Sequence, residues 1–217
     1  MTLDQVTDVK LYAPDFNGPA VESISLLTDK KKTIIEIQTY SPGTYLFGTS
    51  TSPKTVALKA AEFNEYLTRE GIEDILAQRR KNNQLSKDVR ARYSNDVRAI
   101  FQVGNKLTDH YQRRLNHPVD LVPQQNPYSL TVGQTFAVLC IVEGRPIANQ
   151  LVTAGWESRD GKIHMLNTRT AGDGIARFKL GGEGKWYVKM IQMKQVTLPN
   201  VNYESNLATL TFEVANK

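Results

Sequence analysis

Two histidines that lie seven residues apart are the side chains in this sequence best suited to bind a metal ion. His110 and His117 would share one helical face if a helix ran through both, and Asp109 would add a carboxylate oxygen. Pro118 argues against such a continuous helix, and no zinc-type spacing such as HxxxH or CxxC is present. A divalent metal site at these three residues and an ordinary pair of surface histidines are therefore both open.

A basic stretch between residues 59 and 114 is the second candidate. It holds twelve Lys and Arg against eight Asp and Glu, which is +4 of the net charge of +5. Acidic residues are interspersed and no nucleic-acid-binding module fits the pattern, so we expect no nucleic-acid partner. We expect instead a solvated helical face of mixed charge, whose arginines either are available to an acidic partner or ligand or only pair with Glu70, Glu73 and Asp96. The members of this interaction surface would be Arg79, Arg80, Arg90 and Arg98.

Other reactive groups lack the partners that chemistry would require. Cys140 stands between two aliphatic residues in a strand-like run, which predicts a buried thiol rather than a nucleophile. Asp173-Gly174 supplies one oxygen donor where a calcium loop needs several, so it predicts a turn. No Ser/His/Asp order, paired carboxylates or phosphate-binding glycine loop stands in its proper context. We therefore predict no catalytic or cofactor-binding residues and no enzyme activity.

The elements that would position these groups change type twice along the chain. Residues 9 to 58 are rich in β-branched residues and hairpin signals, which indicates strands. From Lys59 the apolar period becomes helical, and Gly71 is placed to end a first helix. A second helix follows, and Ser86 is placed to cap a third that ends at Gly104. The third helix would bury an apolar stripe formed by Val89, Tyr93, Val97, Ile100 and Phe101.

The last hundred residues show the regularly spaced turn residues that are typical of a β-sandwich. Short β-rich runs are separated by Gly, Pro and Asp at regular spacing. Residues 208–214 alternate apolar with polar side chains, and residues 185–192 would place Trp186, Val188 and Met190 on one side of a strand and Tyr187, Lys189 and Ile191 on the other. We predict a mainly β protein with a helical insertion, built from an N-terminal β-sheet and a C-terminal immunoglobulin- or transthyretin-like β-sandwich. The expected domains are an N-terminal sheet region at 1–58, a helical insertion of the same domain at 59–115, and the sandwich at 117–217.

Composition limits the class of protein further. Of 217 residues, 40% are hydrophobic and 23% charged, which is typical of a folded chain with a substantial core. No apolar run approaches the length of a membrane span, and the first residues have no apolar signal-peptide region. The strands before residue 59 are few for a self-sufficient sandwich, so we expect further sequence upstream.

A series of short motifs runs in order from about Thr44 to the C-terminus. They include Phe-Asn-Glu-Tyr-Leu at 63–67, Arg-Ala-Arg-Tyr-Ser at 90–94 and Pro-Gln-Gln-Asn-Pro-Tyr at 123–128. Others are Gly-Arg-Pro-Ile at 144–147, Gly-Lys-Trp at 184–186 and Leu-Thr-Phe-Glu-Val at 210–214. In this order the motifs resemble a family of bacterial extracytoplasmic proteins of unknown function, some of them described as periplasmic components of cobalt or nickel uptake systems. The chain departs from that family where Asn95 follows the Arg-Tyr-Ser motif and where an N-terminal His-Asp-Phe-like strand is absent.

The resemblance implies a non-catalytic extracytoplasmic binding module, an accessory of nickel or cobalt uptake. Its implied location is the periplasm or another extracytoplasmic compartment, its implied ligand a divalent metal, and its implied partner a protein or transport complex rather than a membrane span of its own. The alternative is a structural or protein–protein interaction domain that binds no small ligand, with a sheet edge or helical face that docks a partner.

Overall fold

Fourteen strands and two helices are formed by the part of the chain that the computed structural model describes, which is residues 5–15, 24–29, 32–158 and 160–215. Residues 16–23 and 30–31 of the expected N-terminal strand region lie outside the described residues. The helices are α1 (Ala60–Arg69) and α2 (Glu73–Lys81), and neither is long and apolar enough to cross a membrane. The strands are β1 (Val6–Tyr12), β2 (Ile24–Asp29), β3 (Lys32–Ile37), β4 (Gly43–Thr51), β5 (Lys54–Leu58), β6 (Val89–Val103), β7 (Val119–Pro123), β8 (Thr135–Val142), β9 (Arg145–Pro146), β10 (Leu151–Glu157), β11 (Ile163–Arg169), β12 (Ile175–Lys179), β13 (Gly184–Leu198) and β14 (Val201–Val214).

Two sheets pack against each other as a sandwich. The large sheet has the order β1-β4-β6-β14-β13-β10-β11, and β5 pairs with the first part of β6. The smaller sheet has the order β12-β8-β7, with β9 paired to β8. The inner faces of both sheets contribute to one buried core, in which Phe212 of the large sheet contacts Phe136 of the small sheet and Trp186 on the neighbouring strand. The prediction of a mainly β protein with a sandwich and a helical insertion is confirmed.

The two halves of the chain share the large sheet. Strand β6 pairs in parallel with β14, from Ala91 opposite Tyr203 to Ala99 opposite Thr211. On its other edge β6 pairs antiparallel with β4, and β4 pairs with β1. The N-terminal strands therefore extend the same sheet that carries the C-terminal strands. Parallel pairing needs a long connection, and residues 104–200, which connect β6 to β14, include the strands of the smaller sheet.

The third predicted helix is wrong, because residues 89–103 form the fifteen-residue strand β6. The expected stripe does not share one buried face, and Tyr93 is 41% exposed. Over residues 94–100 of the strand every second side chain is buried, and three of these are polar: Ser94, Asp96 and Arg98. Apolar periodicity identifies a buried face only when the buried residues are apolar, so this face was not recognised.

The outer face of the large sheet is covered in two places. The helices pack Phe63, Leu67 and Ile75 onto Ala91 and its neighbours at one end of the sheet. The β2–β3 hairpin contributes partly buried isoleucines to a cluster around the outer side chains of β4. Gly71 adopts a φ of +68° at the end of α1, as expected for a residue that ends a helix. Outside these two covered areas, the outer face of β14, β13, β10 and β11 includes several exposed residues.

Candidate functional site

The four arginines predicted to form an outward interaction surface do not lie on one surface. Arg80 and Arg90 are exposed, whereas Arg79 and Arg98 are each only 1% exposed. The expectation that all four turn outward is therefore wrong for the two buried ones. Arg80 lies on a helix and Arg90 on a strand, so the two exposed arginines belong to different elements.

Arg79 holds the loop that follows α2. Its guanidinium donates to the carbonyls of Gln84 and Lys87 at 2.7 and 2.9 Å, and to Asn64 Oδ1 at 2.9 Å. The same group lies 5.0 Å from the ring centroid of Phe63. A guanidinium has five N–H donors and a flat face, so burial here leaves it well satisfied. Arg79 therefore stabilises the helical insertion.

The three candidate metal ligands are not brought together. His110 begins a short 3-10 turn, where its Nδ1 lies 3.2 Å from the Thr108 hydroxyl. Asp109 is exposed beside it. His117 is buried, and its neighbours are Asp8 of β1 and Asp96 of β6 rather than His110 or Asp109. Within the described ranges no group of three or more His, Cys, Asp or Glu side chains is arranged to hold a metal ion.

The outer face of the large sheet carries rows of side chains that the strand register sets side by side. One row runs from Met165 through Gly155 and Tyr187 to Thr211 and Ala99, across five neighbouring strands. Met165 is 69% exposed, and Tyr187 is half-buried. A Cβ at Gly155 would lie 2.7 Å from the Tyr187 ring, so the tyrosine ring lies across the glycine. The absence of a side chain at 155 therefore sets the position of Tyr187 on this face.

The next row adds charge at one end of the face. Ile163, 62% exposed, lies opposite Glu157, which lies opposite Lys185, which in turn lies opposite Glu213. All three charged residues are exposed. A lysine between two glutamates gives this row a net charge of −1 beside the apolar surface of Ile163 and Tyr187.

These rows border an open groove of about 460 Å³ with a mostly apolar lining. Its walls include Phe101 of β6, Tyr187 of β13 and Ile163 of β11. The pairing of β6 with β14 stops at Ala99 and Thr211, and the Tyr128 hydroxyl donates to the Ile100 carbonyl at 3.0 Å just beyond that point. Burial raises the pKa of Tyr128 to about 12, so this hydroxyl stays protonated. The groove is therefore an open concavity whose lining is mostly apolar.

An aromatic row supports the groove from the inner side of the sheet. His164, Trp156, Trp186 and Phe212 lie opposite one another on four neighbouring strands. Their successive ring planes differ by 10°, 14° and 12°, with centroids 4.5, 4.6 and 6.3 Å apart. The Trp186 indole also donates to the Gly182 carbonyl at 2.9 Å. Stacked rings with few rotatable bonds make these strands a stiff support for the groove.

One hydroxyl lies near a histidine but lacks the arrangement of a nucleophile. Ser158 Oγ is 3.3 Å from His164 Nε2 and 2.5 Å from Asp160 Oδ1 in the turn between β10 and β11. In a catalytic triad the acid orients the histidine, whereas here it bonds to the serine itself. The Ser158 hydroxyl also contacts the Lys162 carbonyl, which closes the turn. This group therefore stabilises the turn.

The fold and the groove define a mainly β protein with an open sheet face beside a helical insertion. The profile of a family described as a domain of unknown function, DUF4198, matches residues 1–194. The chain belongs to this family. The match includes both helices and all strands up to most of β13, and so most of the open face. Among curated proteins, none matches the chain.

Proposed function

We propose that this protein is a non-catalytic extracytoplasmic binding module and that the open outer face seats a protein partner in an uptake complex. The observation that carries the proposal is the groove between Phe101, Tyr187 and Ile163, an apolar concavity of about 460 Å³ bordered by the charged side chains of Glu157, Lys185 and Glu213. Contiguous exposed apolar surface rimmed by polar residues is typical of an interaction site.

A protein segment suits this face better than an enclosed small molecule. The groove is open, and its lining extends to β11, which within the described residues forms ladder hydrogen bonds with β10 alone. An edge strand offers its free N–H and C=O groups to an added extended segment. The expected partner therefore presents an extended segment to the β11 edge, and other parts of the partner place apolar side chains in the groove and a basic side chain near Glu157 or Glu213.

The assignment to nickel or cobalt uptake is supported by the family resemblance of the motifs. In this proposal the chain serves the transport complex through protein contact, with capture of the ion itself as the second possibility. Titration calorimetry of untagged protein with nickel, cobalt and zinc salts separates the two. Binding weaker than millimolar for all three ions supports the accessory role, whereas tighter binding of nickel or cobalt supports ion capture.

Photo-crosslinking in the organism that encodes the protein tests the face directly. A benzophenone amino acid replaces Met165 on the face, and in a matched variant it replaces Leu198, an exposed apolar residue (42%) at the far tip of the β13–β14 hairpin. We expect an adduct of defined mass at 165 that is absent at 198. Adding Ile163→Glu should abolish the adduct, whereas adding Leu198→Glu should leave it.

Equal labelling at both positions, or an adduct that survives Ile163→Glu, would contradict docking at this face. No adduct at either position would favour the alternative of a structural domain with no partner at the groove. Mass spectrometry of the 165 adduct reports whether the partner belongs to a transport complex.

A further inference from the structure

Edge strand β1 carries a bulge at Asp8. Pairing of β1 with β4 shifts register between Thr7 and Lys10, and Asp8 lies in that interval with a φ of +50°. A residue other than glycine seldom adopts this left-handed conformation, and bulges commonly redirect a side chain. Here the bulge brings Asp8 Oδ2 to 3.3 Å from His117 Nε2.

The His117 side chain is only 2% exposed. Its Nε2 makes no hydrogen bond of acceptable geometry with any described residue, despite the short approach to Asp8. Its Nδ1 lies 4.0 Å from Asp96 Oδ1, beyond hydrogen-bond range. A buried ring nitrogen without a partner is rare in native proteins and calls for an explanation.

Charged groups from three strands face this imidazole. Asp8 and Lys10 belong to β1, Asp96 to β6 and Asp120 to β7. Burial lowers the pKa of His117 below its usual 6.5, and the three carboxylates only partly oppose this. Burial likewise raises the pKa of Asp96, although the Ser50 hydroxyl, His117 and the Val119 amide oppose the rise. The closed site therefore favours a neutral imidazole.

His117 also lies where β1 contacts the segment formed by residues 113–118. Lys10 Nζ donates to the Leu115 carbonyl and to Asp8 Oδ2, both at 2.7 Å. The Leu115 side chain fills the space beside Gly48 of β4, and the Leu115 amide donates to Asp120. Displacing His117 would thus disturb both the Asp8 bulge and the residues around Leu115.

We propose that His117 is a proton-operated catch: when neutral it stays buried and holds β1 closed on the sheet, and when protonated it leaves its site and loosens β1 together with residues 113–118. A buried imidazolium whose Nε2–H has no hydrogen-bond partner is costly, and outside the site the ring gains full hydration. Asp8 is 43% exposed and can follow the ring outward. This device is independent of the proposed partner-binding face.

The direction with pH follows from proton linkage. The closed state has a pKa for His117 below 6.5 and the open state one near 6.5, so the open state binds more protons as pH falls below 6.5. The opening constant then rises by about tenfold per pH unit until the closed-state pKa is reached. Asp96 acts oppositely, because its raised pKa lets the closed state take up a proton and gain stability at still lower pH. The loosening is therefore expected in mild acid.

Hydrogen exchange with mass spectrometry, corrected for intrinsic rates, tests this from about pH 7.5 to about pH 5. Peptides over 5–12 and 113–121 should lose protection about tenfold per pH unit below 6.5, while peptides of β13 and β14 stay protected. His117→Gln should remove the pH response. His110→Gln, a histidine of the same segment, is the matched control and should retain it.

Unchanged protection of wild-type peptides 5–12 over this range would overturn the proposal. So would a response that survives His117→Gln or disappears in His110→Gln. If His117→Gln does not fold, Asp8→Asn at the partly exposed carboxylate replaces it, since loss of that charge should make the acid opening larger than in wild type. A smaller opening in Asp8→Asn, or a wild-type His117 ring proton that titrates at 6.5 or above by NMR, would also contradict the catch.

Discussion

Arg98 of β6 forms a buried ion pair with Asp120 of β7 in the interior of the sandwich. Its Nη2 donates to both carboxylate oxygens at 2.9 Å and its Nε donates to one of them at 3.1 Å, and the two side chains are 1% and 4% exposed. Arg98 also donates to the carbonyls of Tyr111 and Arg113. This ion pair therefore connects the two sheets and fixes the segment between β6 and β7.

Removing the arginine of this pair should be strongly destabilising. We expect Arg98→Met to lower the free energy of unfolding by about 3–5 kcal/mol, because it leaves the Asp120 carboxylate buried without its cation. Urea denaturation followed by tryptophan fluorescence measures the change. Arg90→Met on the exposed part of the same strand is the control and should have little effect. Equal losses in the two variants would show that the buried ion pair stabilises the fold no more than an exposed arginine does.

Two adjacent arginines of α2 should differ in the same way. Arg79→Gln should lower the free energy of unfolding by about 2–3 kcal/mol, since it removes charge-assisted hydrogen bonds to Gln84 and Lys87. Arg80→Gln, at the exposed neighbouring position, should change it little. Thermal melting of both variants decides the matter, and similar melting temperatures would contradict a structural role for Arg79.

Adding a side chain at Gly155, which lies beneath the Tyr187 ring, should destabilise the protein. A Cβ at Gly155 would lie 2.7 Å from both the Tyr187 ring and the His164 carbonyl, so Gly155→Ala should cost about 1–3 kcal/mol and shift the Tyr187 ring resonances. Gly172→Ala is the control, because no atom lies within 4 Å of its added Cβ. Chemical denaturation and NMR of the two proteins give the comparison. An unshifted Tyr187 in Gly155→Ala would show that the glycine does not position the ring.

The contact between the helices and the sheet should weaken in acid. Glu70 bonds to Lys189 at 2.8 Å. Burial raises the pKa of Glu70, but Lys189 and Arg69 outweigh it and the net pKa lies below 4.5. A lowered carboxyl pKa contributes stability above 4.5 that is lost as pH falls through the folded-state value. The urea midpoint of wild type should therefore fall more than that of Glu70→Gln between neutral pH and pH values below 4.5.

Glu73→Gln, an exposed carboxylate in the first turn of α2, is the matched control for that pH series. It should follow the wild-type profile. If Glu70→Gln also follows it, the Glu70–Lys189 bond contributes no pH-dependent stability.

Much of the strand pattern could be predicted because its buried residues are apolar. Residues 210, 212 and 214 alternate with polar neighbours, and the structure buries Leu210, Phe212 and Val214 as expected. Trp186 and Cys140 are likewise buried in the core. The same alternation places Trp186 and Tyr187 on the two different faces of β13. Because Trp186 is expected in the core, this signal locates Tyr187 on the outer face. Sequence alone could not show that Ile163 lies on that face, because the β10–β11 register decides it.

The arginines show the limit of the sequence pattern. Arginine is usually a surface residue, and only the partners of Arg79 and Arg98 reveal that these two are buried. Asn64, Gln84 and Lys87 satisfy the first, and Asp120 with two backbone carbonyls satisfies the second. A buried charge is tolerated only with such compensation, and most of these groups lie too far along the chain for local periodicity to connect them.

By itself the sequence determined the class of fold, since period-two and helical periods of apolar residues are local consequences of backbone geometry. It also determined where α1 ends, because Gly71 adopts the left-handed conformation there. Only the tertiary structure decided that β6 is a strand, that it pairs in parallel with β14, and that Asp8 meets His117. Those outcomes depend on strand pairing and side-chain contacts between residues about a hundred positions apart. No local pattern in the sequence encodes such contacts.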